Sequence, residues 1–394
     1  MPRISCCLIV KNEAPRLPAL FEGLRGFVDE LVVVDTGSSD GTVACAREAG
    51  ATVVEHVTTN LALARNIALE HARGDWVLSL DADERMTPAE LRALRELTTT
   101  GAESVGVCIV NYFGAGRFAV VRRTGKFFRN RPGVEWEGTY HESNMASLRR
   151  LGLRHVDTGC IVHHLECLAE RATSGEKARR GIERMERMVA ESEGATRGRL
   201  LRLLSLDYAA VGELPRAAAL CREVLAGDPG DYHTAVQLGQ ILLSQGEGAA
   251  ARAAFEDSLR LRSDSFERSY LGLARAADAL GELEACEEWL ARAEQEREGL
   301  AVDVNRGLVE LATGRTASGL ARLSRALERA PALLDPAVHV ELGHSRYVVQ
   351  SSVLPSYERM SAPLTFWRGI ARGDAAGALA ELHPIPSPPG RGPG

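Results

Sequence analysis

The chain has 394 residues, of which 45% are hydrophobic and 25% are charged, and this is the composition of a soluble globular protein. Its length favours two or three domains over one. The net charge of −6 argues against general binding to nucleic acid or to an anionic membrane.

Targeting signals are not evident. No apolar run approaches the roughly 20 residues that cross a bilayer, so we expect no transmembrane segment. The N-terminal run ISCCLIV is too short for a signal peptide and is followed by Lys11, Asn12 and Glu13. The eight cysteines lack metal-ligand spacing, which fits reduced thiols. We therefore expect a cytoplasmic protein.

Strand and helix signals alternate through the first hundred residues. Apolar runs predict four buried strands, in ISCCLIV, ELVVVDT, ATVVEHV and WVLSLDADE, and a helical segment follows each one. Thr87, Pro88 and Glu90 have the spacing of a capping box with proline at the first helical position. This alternation predicts an α/β fold with a parallel sheet covered by helices on both faces. From about residue 104, strand-like segments without long helices predict a mixed or antiparallel extension.

The second half of the chain repeats. Gly212, Gly246, Gly281 and Gly314 recur at intervals of 33 to 35 residues, each between two helical stretches. The pattern resembles tetratricopeptide repeats, with Ala218 and Ala251 at the close helix crossings, and it predicts an all-α solenoid. We expect a catalytic domain, a helical bridge, a repeat domain and a disordered tail, at residues 1–167, 168–200, 201–382 and 383–394.

The fourth predicted strand ends in carboxylates. Asp81 and Asp83 are two residues apart, and strand alternation would place them on one side. Ligands of open α/β sheets bind beyond the carboxyl ends of strands. Paired carboxylates there suit Mg²⁺ or Mn²⁺, which usually also holds substrate phosphates. The alternative is a solvated loop whose acidic residues lie near a helix N-terminus.

Residues 4–165 resemble the family 2 glycosyltransferases of GT-A fold. The matching pieces are CLIVKNEA, LVVVDTGSSDGT, LARNIALEHARGDWVLSLDADE, KFFRNRPGVEWEGTYHES and IVHH. The resemblance implies transfer of a sugar from a nucleotide diphosphate donor, usually a UDP-sugar, with inversion at the anomeric carbon. A dinucleotide site is not expected, because GAGRFA does not lead into a helix.

The resemblance also implies donor-side roles. Asp35 corresponds to the residue that reads the nucleotide base, and Asn12 and Glu13 line that end of the site. Arg65 and Asn66 match positions near the nucleotide. Lys126 and Arg129 are candidates for stabilising the charge that develops on the diphosphate, although their basic run also suits a solvated face.

On the metal and acceptor side, Asp81 and Asp83 match the aspartates at the ribose and the metal. His163 matches a histidine that completes the metal or diphosphate site. The chain departs from the family at His164, which leaves open which of the two imidazoles faces the site. His141 and Glu142 match the acceptor-side acidic motif, and Glu142 is our first candidate for the general base. Glu137 is the second candidate.

The repeats bear on the acceptor. The layout resembles the S-glycosyltransferases of glycocin biosynthesis, which join a similar catalytic domain to helical repeats and modify a peptide. We therefore expect an acceptor hydroxyl or thiol on a peptide, a protein or a glycan, among which the sequence does not choose. The repeats could hold a peptide or protein acceptor, or equally form a homodimer. The competing hypothesis is an inactive nucleotide-sugar domain that serves a protein-binding scaffold. A nucleotidyltransferase is disfavoured because KNEAPRLP contains no glycine.

Overall fold

The chain forms two compact units, which are described separately. In the computed structural model they comprise Met1–Val110 with Val121–Glu166, and Asn111–Val120 with Cys167–Gly394. The structure describes residues 1–112, 118–138, 142–165, 174–261, 266–296, 299–339, 352, 354–355 and 364–381.

The first unit is built on an eight-stranded mixed sheet. Its strands are β1 (Ile4–Val10), β2 (Glu30–Asp35), β3 (Thr52–Glu55), β4 (Trp76–Ser79), β5 (Glu84–Arg85), β6 (Ser104–Tyr112), β7 (Phe118–Arg129) and β8 (His155–His164). They lie in the order β3-β2-β1-β4-β7-β6-β8-β5. The four predicted strands, β1 to β4, pair in parallel, whereas β7 runs antiparallel to β4 and β5 antiparallel to β8. Both the parallel core and its mixed extension were predicted.

Helices follow the parallel strands as the sequence predicts. They are α1 (Leu17–Leu24), α2 (Thr42–Glu48), α3 (Leu61–His71), α4 (Pro88–Leu97) and, after β7, α5 (Met145–Arg150). Helix α4 begins with the predicted capping box, in which Thr87 and Glu90 exchange hydrogen bonds with each other's backbone. The capping box therefore fixes the backbone where the segment after β4 enters α4.

The sheet is covered on both faces, because successive strand residues point to opposite sides. Cys6 and Leu8 of β1 pack in one core with α1 and α4, while Cys7 packs in the other with Ala64 and Ala68 of α3. Trp76 is fully buried and stacks on Phe127 at 4.7 Å between ring centroids. The sheet is therefore held between two packed layers.

The second unit consists of helices in hairpins. They are α6 (Ser174–Ala190), α7 (Gly194–Ala210), α8 (Leu214–Gly227), α9 (Tyr232–Ser244), α10 (Gly248–Leu261), α11 (Phe266–Ala279), α12 (Leu283–Glu296), α13 (Leu300–Ala312), α14 (Thr316–Arg329), α15 (Leu364–Ala371) and α16 (Ala375–Glu381), with 3₁₀ turns at Pro331–Leu334 and Pro336–His339. The four repeated glycines, Gly212, Gly246, Gly281 and Gly314, adopt φ between 76° and 83° in the hairpin turns. This left-handed conformation favours glycine and explains why the residue recurs.

The two alanines that the repeat pattern singled out, Ala218 and Ala251, are buried. Helix α7 spans residue 200, where the sequence placed the start of the repeat domain, and the predicted domain limits stay predictions. The predicted tail, 383–394, lies outside the described residues. Within the described parts of the chain, no helix is long and apolar enough to span a membrane.

Candidate active site

The carboxyl ends of three parallel strands meet at one edge of the sheet. Strand β1 lies between β2 and β4 and runs in the same direction as both. The three strands end at Val10, Asp35 and Ser79. The polar segments that follow them therefore share one edge, which is where open α/β sheets bind ligands.

Asp35 and Asn12 tie together the loops that follow β2 and β1. The buried Asp35 carboxylate accepts hydrogen bonds from the backbone N–H groups of Gly37 (3.0 Å) and Ser38 (2.9 Å). Asn12 has a φ of 58°, which asparagine tolerates better than most residues. Its side-chain oxygen accepts from the N–H of Ser39 (2.8 Å), and its own N–H donates to the Ser38 hydroxyl (2.8 Å). Both predicted residues thus shape one double loop.

Glu13 and Asn66 are also held by backbone contacts. The N–H of Glu13 donates to the Thr42 hydroxyl (2.8 Å), and its carboxylate pairs with Arg16 at 2.6 Å. The Asn66 side chain bonds both backbone groups of Trp136, accepting from the N–H (2.7 Å) and donating to the C=O (3.0 Å). Asn66 therefore fixes the backbone at Trp136.

The acidic segment after β4 is a turn. Strand β4 ends at Ser79, and the N–H of Glu84 donates to the backbone oxygen of Asp81 (3.0 Å). Strand alternation therefore does not govern the directions of Asp81 and Asp83, because the strand has ended before them. The two aspartates have different partners.

Asp81 is bound by Arg65, which lies on α3. The Arg65 guanidinium donates to Asp81 (2.8 Å), to the Ser79 hydroxyl (3.1 Å) and to Glu142 (2.9 Å), and it stacks over the Trp136 ring at 4.9 Å. Burial disfavours the charged guanidinium, but Asp81 and Glu142 outweigh this effect and raise the pKa of Arg65. Arg65 therefore stays charged and joins two predicted site residues.

Lys126 is the second cation beside Asp81. Its Nζ donates to Asp81 (3.1 Å) and to Glu84 (2.7 Å), and Glu84 is buried. Burial opposes the charge of Lys126, but the two carboxylates outweigh it and raise its pKa. Burial likewise opposes ionisation of Asp81, yet Lys126 and Arg65 hold the pKa of its carboxyl well below the usual range. We call Arg65, Asp81, Glu84, Lys126 and Glu142 the Arg65 network; it has three carboxylates and two cations.

Asp83 contacts His164 instead. The Nε2 atom of His164 lies 3.1 Å from Asp83 Oδ2, and both side chains are largely buried. The antiparallel pairing of β5 with β8 sets Glu84 opposite His164, and the N–H of Leu165 donates to the backbone oxygen of Asp83 (3.1 Å). The end of β8 therefore lies directly against the acidic turn.

His163 was the predicted metal ligand, and it points to the other side of the strand. It is buried, with Nε2 3.9 Å from the Glu90 carboxylate of α4, and burial lowers its pKa to about 4. Since neighbouring residues of a strand face opposite sides, only one of the two imidazoles can face Asp83. That imidazole belongs to His164.

Two further candidates, Arg129 and Glu137, lie apart from this cluster. Arg129 pairs with Trp76 at the start of β4, at the far end of the β4–β7 ladder from Lys126. Because β7 runs antiparallel to β4, Arg129 lies at the amino end of β4 and Lys126 lies just beyond the partner of Leu78, toward the carboxyl end. Glu137 is half exposed and lies 3.6 Å from Arg150. His141 lies outside the described residues.

The donor atoms suit a divalent cation that also binds phosphate. Among the described residues, no three His, Cys, Asp or Glu side chains form a ready ligand set. Mg²⁺ commonly uses one or two carboxylates and takes the remaining ligands from substrate phosphates and water. Asp83 and His164 supply one carboxylate and one imidazole beside a network that carries an excess negative charge. These two residues therefore fit Mg²⁺ or Mn²⁺.

The sequence did not single out Glu84 or the link between Arg65 and Glu142. Glu84 directly follows the paired aspartates, which was the available signal. The contact between Arg65 and Glu142 joins residues 77 positions apart, and no local pattern reports such a contact.

Family models match both halves of the chain. The model described as glycosyl transferase family 2 matches residues 5–159, and a tetratricopeptide repeat model matches residues 208–268. The predicted resemblance of both regions is therefore confirmed, and so is the fold class, a GT-A α/β domain followed by all-α tetratricopeptide repeats.

Curated relatives match parts of the chain. A TPR repeat-containing protein of Synechococcus elongatus is 37% identical over 36% of this chain and 35% of its own length. An uncharacterized glycosyltransferase of Rickettsia felis is 37% identical over 22% of this chain and 31% of its own. The SPbeta prophage-derived glycosyltransferase SunS of Bacillus subtilis is 25% identical over 55% of this chain and 53% of its own. The chain thus spans about a third of the first two relatives and about half of the third.

Proposed function

We propose that this chain, whose residues 5–159 form a family 2 glycosyltransferase domain, moves a sugar from a nucleotide diphosphate donor, a UDP-sugar, to an acceptor hydroxyl or thiol. The observation that carries the proposal is the meeting of Asp83, His164 and the Arg65 network at the carboxyl edge of the sheet. Two of these residues, Asp81 and Asp83, belong to the segment that the family uses for its donor.

In this proposal the double loop of Asn12 and Asp35 receives the nucleoside. The loop is held by its own hydrogen bonds, so backbone groups are preset where the base and ribose enter. Glu13 lies on the same loop, and Arg65 and Asn66 lie on α3, which packs against β1 and β2. Such preset polar groups favour binding, because little ordering remains to be paid for on association.

In this proposal Asp83 and His164 would hold the divalent cation. When bound, Mg²⁺ or Mn²⁺ supplies positive charge that stabilises the departing nucleoside diphosphate. Arg65 and Lys126 hold the Asp81 carboxylate beside the cation site, so that Asp81 can accept a hydrogen bond from a hydroxyl group of the nucleotide sugar. Because Arg65 and Lys126 are already bound to carboxylates, we assign these two side chains to positioning the turn.

Glu142 is the proposed general base. Of the two candidates, Glu142 belongs to the Arg65 network, whereas Glu137 points toward Arg150. Glu142 takes the acceptor proton while the acceptor oxygen or sulfur bonds to the anomeric carbon. The bond from that carbon to the phosphate oxygen breaks, and its electron pair leaves with the diphosphate. One displacement of this kind inverts the anomeric carbon.

The acceptor is proposed to be a peptide or protein bound by the repeats. Tetratricopeptide arrays present extended surfaces to protein segments, and the layout resembles transferases that glycosylate peptides. A lipid-linked or other glycan acceptor and a homodimer through the repeats are the alternatives. We place the reaction in the cytoplasm.

The test is donor hydrolysis with a panel of nucleotide sugars and Mn²⁺. We expect the intact chain to release nucleoside diphosphate from one donor class, and Asp83→Asn to lose at least about 100-fold, since it removes the proposed metal carboxylate. Asp157→Asn, a partly exposed aspartate on β8, is the matched control and should keep its activity. Full activity in Asp83→Asn contradicts the site. No turnover of any donor by the intact chain favours the scaffold hypothesis.

A further inference from the structure

Arg85 makes an unusual set of backbone contacts beside the acidic turn. Its Nη1 atom donates to the backbone oxygens of Ala82 (2.8 Å) and Glu84 (2.7 Å), and its Nη2 atom donates to the backbone oxygen of Arg16 (2.9 Å). The planar fork of a guanidinium suits several acceptors at fixed angles. The guanidinium therefore joins three carbonyls from two separate segments.

The three carbonyls lie on two sides of the candidate site. Ala82 and Glu84 are the two neighbours of Asp83 in the turn. Arg16 lies 69 residues away, where the loop after β1 enters α1. The same loop contains Asn12 and Glu13. One side chain thus joins the backbone on both sides of Asp83 to the loop on the nucleoside side of the site.

We propose that Arg85 is a positioning residue that holds the Asp83 turn and the loop after β1 in a fixed mutual arrangement. The inference rests on the proposed function, since it assigns Arg85 to that same site. The guanidinium N–H groups are bound to the backbone oxygens of Ala82, Glu84 and Arg16. Arg85 therefore affects the reaction only by holding Asp83 and the loop in place.

Loss of these contacts should loosen the site without unfolding the unit. The turn keeps the bond from the Glu84 N–H to Asp81 (3.0 Å), and the loop keeps the bond from the Arg16 N–H to Glu13 (2.9 Å). Each segment therefore retains its local form, while the connection between them is lost. If Arg85 connects the two segments, its loss should reduce the order of both segments at once.

The experiment is hydrogen exchange of the full chain, read by mass spectrometry on peptides that cover residues 12–17 and 80–86. Exchange is measured without donor or metal in the intact chain, Arg85→Met and Arg85→Lys. Arg73→Met, which removes an exposed arginine, is the matched control. UDP affinity in the presence of Mn²⁺ is measured by calorimetry on the same proteins.

We expect Arg85→Met to speed exchange about tenfold in both peptides and to weaken UDP binding by a similar factor. Arg85→Lys, which keeps the charge but lacks the fork, should show the same pattern to a smaller extent and decides the question if Arg85→Met does not fold. Unchanged exchange in either peptide, or equal acceleration throughout the first unit, overturns the proposal. If the intact chain does not bind UDP, the proposed function fails, yet the exchange comparison still decides whether Arg85 joins the two segments.

Discussion

Replacing Arg65 by methionine tests the network on which the site depends. The change keeps much of the side-chain length but removes the donors to Ser79, Asp81 and Glu142. The Arg65 side chain is only 9% exposed, so its loss removes a buried cation from between two carboxylates. Removing one partner of a buried ion pair costs about 3–5 kcal/mol of unfolding free energy.

We expect Arg65→Met to lower the free energy of unfolding by about 3 kcal/mol, near the lower end of that range. Asp81 is 36% exposed and keeps its contact with Lys126, so water and Lys126 offset part of the loss. Glu142 is 14% exposed and loses its contact with Arg65. Arg65→Lys restores the charge but cannot reach three acceptors with the same geometry, and it should recover only part of the loss.

The control is Arg47→Met, which breaks the ion pair of Arg47 with Glu55. Both of those side chains are 58% exposed, and an exposed pair contributes at most about 1 kcal/mol. Since the two units need not unfold together, stability is measured by urea-dependent hydrogen exchange of peptides from β1 and β4. If Arg65→Met destabilises these peptides no more than Arg47→Met does, the account of the Arg65 network is refuted.

Three further predictions follow from single contacts. Lys126→Met should destabilise the first unit by about 3–5 kcal/mol, because Glu84 is left buried without its cation; the same exchange assay measures this, and a loss under 1 kcal/mol contradicts it. The pKa of His163 lies at about 4, below its value in the unfolded chain. The unfolded chain therefore binds the proton first, and the free energy of unfolding falls by up to about 3 kcal/mol as pH drops from 6.5 to 4. His163→Asn should flatten that decline in urea titrations, and an unchanged pH profile contradicts the assignment. Gly272→Ala should destabilise the repeats by about 1–3 kcal/mol, because its added carbon would lie 2.4 Å from the Phe255 ring; calorimetry of the thermal transition measures this, and an unchanged transition contradicts the packing.

The strands and repeats were predictable because local patterns determine them. Buried apolar runs specify β1, β2 and β4, whatever their partners are. The capping box of Thr87 and Glu90 acts over three residues. The hairpin glycines recur because the turns need a positive φ. In each case the signal and the structure lie within one short segment.

The parts of the site that the sequence left open depend on strand register and direction. His163 and His164 are adjacent in sequence, and a shift of one residue in the pairing of β5 with β8 would exchange their faces. Lys126 and Arg129 share a basic run, but the antiparallel direction of β7 carries only Lys126 to the carboxyl edge. Such long-range pairings leave no mark in a local sequence pattern.

The central claim is that Asp83 and His164 hold a cation that binds a nucleoside diphosphate. Calorimetric titration of the full chain with UDP, with and without Mn²⁺, tests it most directly, with Asp83→Asn and His164→Ala beside the intact protein and His163→Asn as the neighbouring control. We predict UDP binding that is at least about tenfold tighter with Mn²⁺, a gain that is lost in Asp83→Asn and His164→Ala and kept in His163→Asn. UDP binding that is the same with and without Mn²⁺, or a gain that survives in Asp83→Asn, would contradict the account.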